Sequence, residues 1–171
     1  IASAPVVGHS YGGWVALNIA LFAPERVDRL VLLAPAASFM PLNPQFGLRL
    51  MLMAMLRNRW SAMSFGRWTT KKGNEPPHEL YDQFHQGIKH FRWGPILRPT
   101  VFTDAELSRI RTPTLLLIGD HEVILDWRAA IRRAQALLPD VQVEVIADAA
   151  HVLITEQPDR LNRQVLAFLK D

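Results

Sequence analysis

Cysteine is absent from this chain of 171 residues. Its absence excludes a disulfide framework, a thiolate nucleophile and a cysteine-ligated metal. Long apolar runs are also missing, because the longest one, Val31 to Leu42, contains two prolines and a membrane-spanning helix needs roughly 20 residues. No basic-then-apolar signal segment opens the chain, which begins at Ile1. These absences predict a cytoplasmic protein without a transmembrane segment.

Acidic residues are missing between Asp28 and Glu75, although the net charge of the whole chain is only +3. Residues 38–108 carry nine basic and five acidic side chains. We interpret these basic side chains as part of a solvent-exposed face. The alternative is that they attract an anionic substrate or a membrane surface. We find no array of basic and aromatic residues that indicates a nucleic-acid partner, so none is predicted.

The apolar pattern predicts strands that alternate with helices. Strands are predicted over residues 4–8, 30–34, 114–118 and 141–146, and helices over 11–23, 126–138 and 158–170. Alternation of this kind is typical of an α/β fold with a mostly parallel sheet, here of about four strands. The composition, with 49% hydrophobic and 20% charged residues, is that of a folded domain.

Residues 38–112 interrupt this alternation and predict an inserted helical unit. Its first helix begins at Asn43 and is apolar almost all round, and an amphipathic helix is predicted over 77–91. A capping-box pattern at Thr103 and Glu106 predicts a third, short helix.

The five methionines of the chain all lie in residues 40–63. Because methionine packs adaptably, they suit a lid over an acyl pocket, or equally the ordinary core of the helical unit. We therefore divide the chain into a core, residues 1–37 and 113–171, and a cap or lid, residues 38–112.

The segment from Gly8 to Gly13, with the sequence Gly-His-Ser-Tyr-Gly-Gly, contains the pattern G-x-S-x-G between a predicted strand and a predicted helix. This is the setting of a nucleophile elbow, in which a sharp turn exposes the serine, here Ser10, at a helix N-terminus. Side chains at Gly8 and Gly12 are expected to collide in such a turn. We expect His9 to point away from Ser10 and to pack against the core. The alternative is a glycine-rich turn with a surface serine.

A serine nucleophile needs a base and an acid. His151 follows the fourth predicted strand, and loops at the carboxyl ends of parallel strands share one edge of the sheet. We therefore expect His151 to reach Ser10. The loop after the third strand offers two acids to orient the imidazole, Asp120 and Glu122. The remaining histidines are interpreted as surface, loop or packing residues.

With these residues the chain resembles the carboxyl-terminal part of an α/β-hydrolase of the serine esterase and acyl-hydrolase kind. The matching pieces are Gly8–Gly13, Ala23–Val27, Pro113–Glu122, and His151 followed by Glu156-Gln157-Pro158. The resemblance implies a partial α/β-hydrolase fold whose amino-terminal strands are absent, and a variable cap at residues 38–112. It also favours Glu122 over Asp120, although aspartate is more usual than glutamate there.

The resemblance implies hydrolysis of a small-molecule carboxylic ester or related acyl compound through an acyl-enzyme, without a metal or an organic cofactor. The backbone N–H of Tyr11 would be one oxyanion donor, and the second would lie ahead of Ile1. Hydrolysis of a C–C, amide or thioester bond and perhydrolysis remain open, as does a non-catalytic ligand-binding relative.

Aromatic residues of the helical unit are candidate pocket walls or, alternatively, its core: Phe46, Trp60, Phe65, Trp68, Phe91 and Trp93. Docking at a membrane surface through residues 46–72 is a further alternative. The first strand is predicted to form an unpaired hydrophobic edge that associates with something else. The charge pattern does not predict an oligomeric state.

Overall fold

A computed structural model describes residues 2–75, 77–90 and 97–170 of the chain. Its four strands form one parallel sheet in which spatial order follows chain order. The strands are β1 Ala4–His9, β2 Val27–Leu33, β3 Thr114–Gly119 and β4 Val141–Ile146. The predicted α/β class and four-stranded parallel sheet are therefore confirmed. Strand β2 begins three residues earlier than predicted, because Val27 already pairs with Ala4 of β1.

The two central strands are covered on both faces. Alternate residues of β2 and β3 enter two separate core clusters, so that Leu32 and Leu116 face one layer while Val31 and Leu117 face the other. This explains why both strands consist of almost continuous apolar residues. Within the described residues, β1 is an edge strand that leaves Val7 49% exposed. The association expected for this edge stays a prediction.

Helices pack against both faces of the sheet. Helix α1, Tyr11–Phe22, follows β1 and packs in the first cluster together with α6, Trp127–Leu137. Helix α8, Pro158–Lys170, covers the second cluster with Leu161 and Phe168. Two short elements complete this part of the chain, a 3-10 turn at Pro24–Arg26 and helix α7, Leu153–Glu156.

The remaining helices lie between β2 and β3 in the chain: α2 Pro44–Leu56, α3 Arg59–Thr69, α4 His78–His90 and α5 Asp104–Leu107. We call residues 38–112 the helical segment. Asn43 caps α2 by accepting a hydrogen bond from the N–H of Gln45 at 3.0 Å, and the capping box predicted before α5 is present. Helix α3 was not predicted, because its apolar residues are interrupted by serine, glycine and arginine.

No helix within residues 2–75, 77–90 and 97–170 combines the length and the apolar character needed to span a bilayer.

Candidate active site

A strained turn joins β1 to α1 at Ser10. Ser10 has φ 52° and ψ −117°, a left-handed φ that a side chain disfavours. Hydrogen bonds to the end of β2 hold it there. The N–H of Ser10 donates to the carbonyl of Leu33 at 2.9 Å, and the N–H of Ala36 donates to the carbonyl of Ser10 at 3.0 Å. Because the sheet and helix fix both sides of the turn, the strained conformation persists and presents Ser10 at the start of α1.

Two glycines near Ser10 have no room for a side chain, and they are Gly8 and Gly13 rather than Gly8 and Gly12. A Cβ at Gly8 would lie 2.2 Å from the carbonyl oxygen of Gly12, and a Cβ at Gly13 would lie 2.7 Å from Cβ of Pro35. A Cβ at Gly12 would meet nothing within 4 Å. The expectation of colliding side chains at positions 8 and 12 is therefore wrong for Gly12. The backbone of α1 passes directly over Gly8, and it is this backbone that excludes a side chain.

One imidazole connects the loops after β1, β3 and β4. Nε2 of His151 lies 2.9 Å from Oγ of Ser10, and Nδ1 of His151 lies 2.8 Å from Oε2 of Glu122. The side chain of Glu122 is fully buried, and that of His151 is 7% exposed. Oε1 of Glu122 accepts hydrogen bonds from the N–H groups of Val123 at 2.7 Å and Ile124 at 2.8 Å. These bonds fix the carboxylate, so that its other oxygen faces the imidazole.

Asp120 makes different contacts. Its Oδ1 atom lies 2.6 Å from Nδ1 of His121 and accepts a hydrogen bond from the N–H of Ala149 at 3.3 Å. Burial opposes ionisation of Asp120, but hydrogen bonds from His121 and from the backbone of the His151 loop outweigh it and lower the pKa of Asp120. In the structure Glu122 is therefore the acid that contacts His151, whereas Asp120 contacts the adjacent His121.

His9 also reaches His151, which sequence reasoning missed. Nε2 of His9 donates a hydrogen bond to the carbonyl oxygen of His151 at 2.8 Å, and the two rings lie 5.1 Å apart. Burial, reinforced by the proximity of His151, lowers the pKa of His9. The imidazole of His9 is thereby favoured in its neutral form with the proton on Nε2. The sequence offered one indication of this contact: His9 precedes Ser10 at the carboxyl end of β1, the sheet edge to which the His151 loop was also assigned.

The loop that carries His151 is fastened to the end of α3. The N–H of His151 donates to the carbonyl of Thr69 at 3.1 Å. Glu156 accepts the N–H of Lys71 at 2.6 Å on one oxygen and the N–H of Ala150 at 2.9 Å on the other. Burial raises the pKa of Glu156, and these two hydrogen bonds act against that rise. A half-buried carboxylate therefore joins the helical segment to the loop of the imidazole.

A cavity of about 690 Å³ lies over Ser10 and His151. Its walls are mainly apolar side chains of α2, α3 and α4, among them Phe46, Leu50, Met53, Phe65, Phe84 and Ile88. Phe46 and Phe65 were predicted as pocket walls.

Two other predicted wall residues, Trp60 and Trp68, do not line this cavity. Trp60 is 71% exposed while its neighbours Ser61 and Ala62 are buried, so the prediction for Trp60 was wrong, because its side chain lies on the outer face of α3. Trp68 lines a neighbouring cavity of about 530 Å³ beside Glu122, because its ring packs toward the sheet core. Phe91 and Trp93 lie outside the described residues.

Tyr11 is the first residue of α1, so its N–H is one of those that helix geometry leaves without a partner inside the helix. Its hydroxyl donates to the carbonyl of Leu97 at 3.0 Å. Within the described ranges, no group of three or more histidine, aspartate or glutamate side chains is placed to hold a metal ion.

Comparison with known proteins decides the family. The model of the alpha/beta hydrolase family matches residues 2–164. The chain belongs to this family. The chain is 35% identical to carboxylesterase YbfK of Bacillus subtilis, in a match that covers 99% of the chain. It is 36% identical to the uncharacterized carboxylesterase nap of the same organism, in a match that covers 98% of the chain.

The crystal structure of carboxylesterase CesB (YbfK) from Bacillus subtilis matches this family member with a TM-score of 0.89 at 34% identity. The match covers 99% of the chain and 60% of that structure. The chain spans 58% of the length of YbfK and 57% of that of nap. It therefore shows a partial α/β-hydrolase fold.

Proposed function

We propose that this protein hydrolyses carboxylic esters through an acyl-enzyme formed on Ser10. The observation that carries the proposal is the pair of hydrogen bonds at His151, 2.9 Å to Ser10 and 2.8 Å to Glu122. A serine hydroxyl is a weak nucleophile, and an adjacent base held by a carboxylate is the usual means of activating it. The likeness to two carboxylesterases supports an ester as the bond that is cleaved.

In the proposed first step, Oγ of Ser10 attacks the ester carbonyl carbon while its proton passes to Nε2 of His151. Glu122 keeps the Nδ1 proton of His151 in place and stabilises the imidazolium that forms. The carbon–oxygen bond to the alcohol then breaks, and the alcohol leaves with the proton from His151. Water attacks the acyl group in the second half, with His151 again as the base, which releases the carboxylic acid and regenerates Ser10.

The backbone N–H of Tyr11 serves as an oxyanion donor in this mechanism. It follows the nucleophile directly and belongs to the first turn of α1, where the helix dipole also favours negative charge. Removal of one such donor typically lowers kcat about 10²–10³-fold.

The cavity over Ser10 supports an ester with a bulky apolar group. Phenylalanine, leucine, methionine and isoleucine side chains from three helices line its wall, and its volume of about 690 Å³ is within the range of small-molecule sites. In this proposal the helical segment acts as the cap over the reacting atoms, and the bonds between Glu156, Lys71 and Ala150 hold the cap to the loop of His151.

The experiment that tests the proposal is intact-mass measurement after treatment with a fluorophosphonate probe, which phosphonylates activated serines. We expect a single adduct on the folded protein and none on the Ser10→Ala variant. Hydrolysis of a series of p-nitrophenyl esters with increasing acyl length should then lose about 10⁴-fold or more in kcat/KM with Ser10→Ala.

An adduct that persists in Ser10→Ala, or ester hydrolysis at the unchanged rate, would contradict the assignment. Ester binding without turnover or labelling by the folded protein would favour the non-catalytic alternative.

A further inference from the structure

Helix α2 is apolar on two opposite sides. Phe46, Leu50 and Met53 line the cavity over Ser10. Five other residues, spaced at i, i+3, i+4, i+7 and i+8, form a second apolar stripe that faces outward. They are 45–71% exposed: Leu48, Met51, Leu52, Met55 and Leu56. We call them, together with Trp60, the outer stripe.

An exposed stripe of this kind is unusual for a helix on a protein surface. Such a helix normally turns its apolar stripe to the core and its polar residues to water. Trp60, in the first turn of the next helix α3, is likewise 71% exposed. Contiguous exposed apolar side chains mark a surface that binds something else.

The charge around the outer stripe indicates the occupant. The helical segment carries eleven lysine and arginine residues against five aspartate and glutamate residues, and the rest of the chain carries eight against eleven. Between residues 44 and 69 there are four arginines and no acidic residue. Arg59 and Arg67 are paired with Asp82 and Glu75, acids that lie outside that stretch. The segment as a whole therefore has a positive excess beside an apolar surface.

We propose that the outer stripe docks on the surface of an anionic lipid bilayer. Leucine and methionine side chains would enter the boundary between headgroups and acyl chains, and Trp60 would lie at headgroup level, where tryptophan is enriched in membrane proteins. The positive segment is attracted to anionic headgroups. A second copy of this chain fits less well, because pairing through the stripe would bring two positively charged segments together.

This inference goes beyond the proposed hydrolysis and does not depend on Ser10. Docking through α2 would place the cavity, whose wall the same helix forms, next to the apolar phase of the bilayer. An apolar ester dissolved there would then lie one helix away from the reacting atoms.

The test is co-sedimentation of the purified protein with vesicles of equimolar phosphatidylcholine and phosphatidylglycerol, and with vesicles of phosphatidylcholine alone. We expect binding to the anionic vesicles that weakens as salt is added, because screening reduces the attraction. Leu52→Gln and Met55→Gln should each weaken the partition about tenfold, since each removes the gain from burying one apolar side chain.

The matched controls are Phe22→Gln and Leu166→Gln, which remove apolar side chains 75% and 55% exposed in α1 and α8. They should leave the partition unchanged. The same assay on Ser10→Ala should give the wild-type result, which separates this proposal from the proposed hydrolysis. Thermal unfolding of each variant verifies that the fold is intact.

Two results would overturn the proposal. One is an absence of binding to anionic vesicles, or equal losses in stripe and control variants. The other is a concentration-dependent dimer, measured by sedimentation equilibrium, that Leu52→Gln dissociates while vesicles remain unbound. The second result would assign the outer stripe to an interface between copies of the chain.

Discussion

Oε2 of Glu122 lies 2.8 Å from Nδ1 of His151, whereas Asp120, two residues earlier in the same loop, is bonded to His121. The difference arises from the backbone N–H groups of Val123 and Ile124, which hold the other oxygen of Glu122 and turn its carboxylate inward. Glu122 is also buried, so its bond to the imidazole is protected from water.

Glu122→Gln should lower kcat/KM for a soluble ester about 10⁴-fold. The two backbone N–H groups would keep the amide oxygen on their side, so that the NH₂ group would face His151. Nδ1 would then have to accept, and the proton on Nε2 would prevent that nitrogen from taking the proton of Ser10. The measurement is the steady-state rate together with the rate of fluorophosphonate labelling.

Asp120→Asn is the matched control for this change, because it makes the same substitution two residues away. We expect it to change kcat/KM only a few-fold, since Asp120 has no bond to His151 among the contacts described. A loss for Asp120→Asn as large as that for Glu122→Gln would reverse the proposed assignment of the acid.

Gly8→Ala should disrupt the turn at Ser10, while Gly12→Ala should not. The added methyl group at position 8 would lie 2.2 Å from the carbonyl oxygen of Gly12, so that α1 must shift, at a cost of about 1–3 kcal/mol in the free energy of unfolding. At position 12 it would meet nothing within 4 Å, and alanine should stabilise the helix by about 0.5–1 kcal/mol. Urea unfolding and labelling of Ser10 measure both effects, and equal behaviour of the two variants would refute the steric argument.

Glu156→Ala should loosen the loop of His151. It leaves the N–H groups of Lys71 and Ala150 without their acceptor, and the loss of these two hydrogen bonds at a partly buried site costs about 1–3 kcal/mol in total. We expect a lower unfolding free energy, a lower kcat, and faster hydrogen exchange at both amides. Glu144→Gln, which breaks an ion pair with Arg160 at a partly exposed site, is the control and should cost less than about 1 kcal/mol. Unchanged exchange at Lys71 and Ala150 would show that Glu156 does not hold the loop.

His9→Gln should alter how stability depends on pH. Burial lowers the pKa of His9 in the folded protein below its ordinary value of 6.5. Between that lowered value and 6.5 the unfolded chain binds a proton that the folded chain does not, so stability rises with pH across this window and is lost as the pH falls through it. Glutamine can donate to the carbonyl of His151 but does not titrate.

The measurement for His9 is the free energy of urea unfolding at a series of pH values, compared between wild type and His9→Gln. The wild type should lose stability relative to the variant as the pH falls below 6.5, and the two should run parallel above it. Curves that stay parallel throughout would mean that the folded protein does not lower the pKa of His9.

The sequence alone determined the sheet, most helices and the order of Ser10, the acidic loop and His151. These features depend on short-range chemistry. Apolar runs separated by turns specify buried strands, capping residues such as Asn43 and Thr103 specify helix starts, and glycines around a serine specify a sharp turn. Helix α3 was missed because serine, glycine and arginine interrupt its apolar residues.

Only the tertiary structure decided which groups meet. Asp120 and Glu122 lie in one loop. Which of them contacts His151 depends on two backbone N–H groups of that loop, which donate hydrogen bonds to the carboxylate of Glu122. The bond from His9 to His151 joins residues 142 positions apart. Periodicity likewise groups Leu48, Leu52 and Met55 on one face of α2 but does not say what that face contacts. A local pattern specifies which side chains lie together, whereas packing of distant segments specifies what they touch.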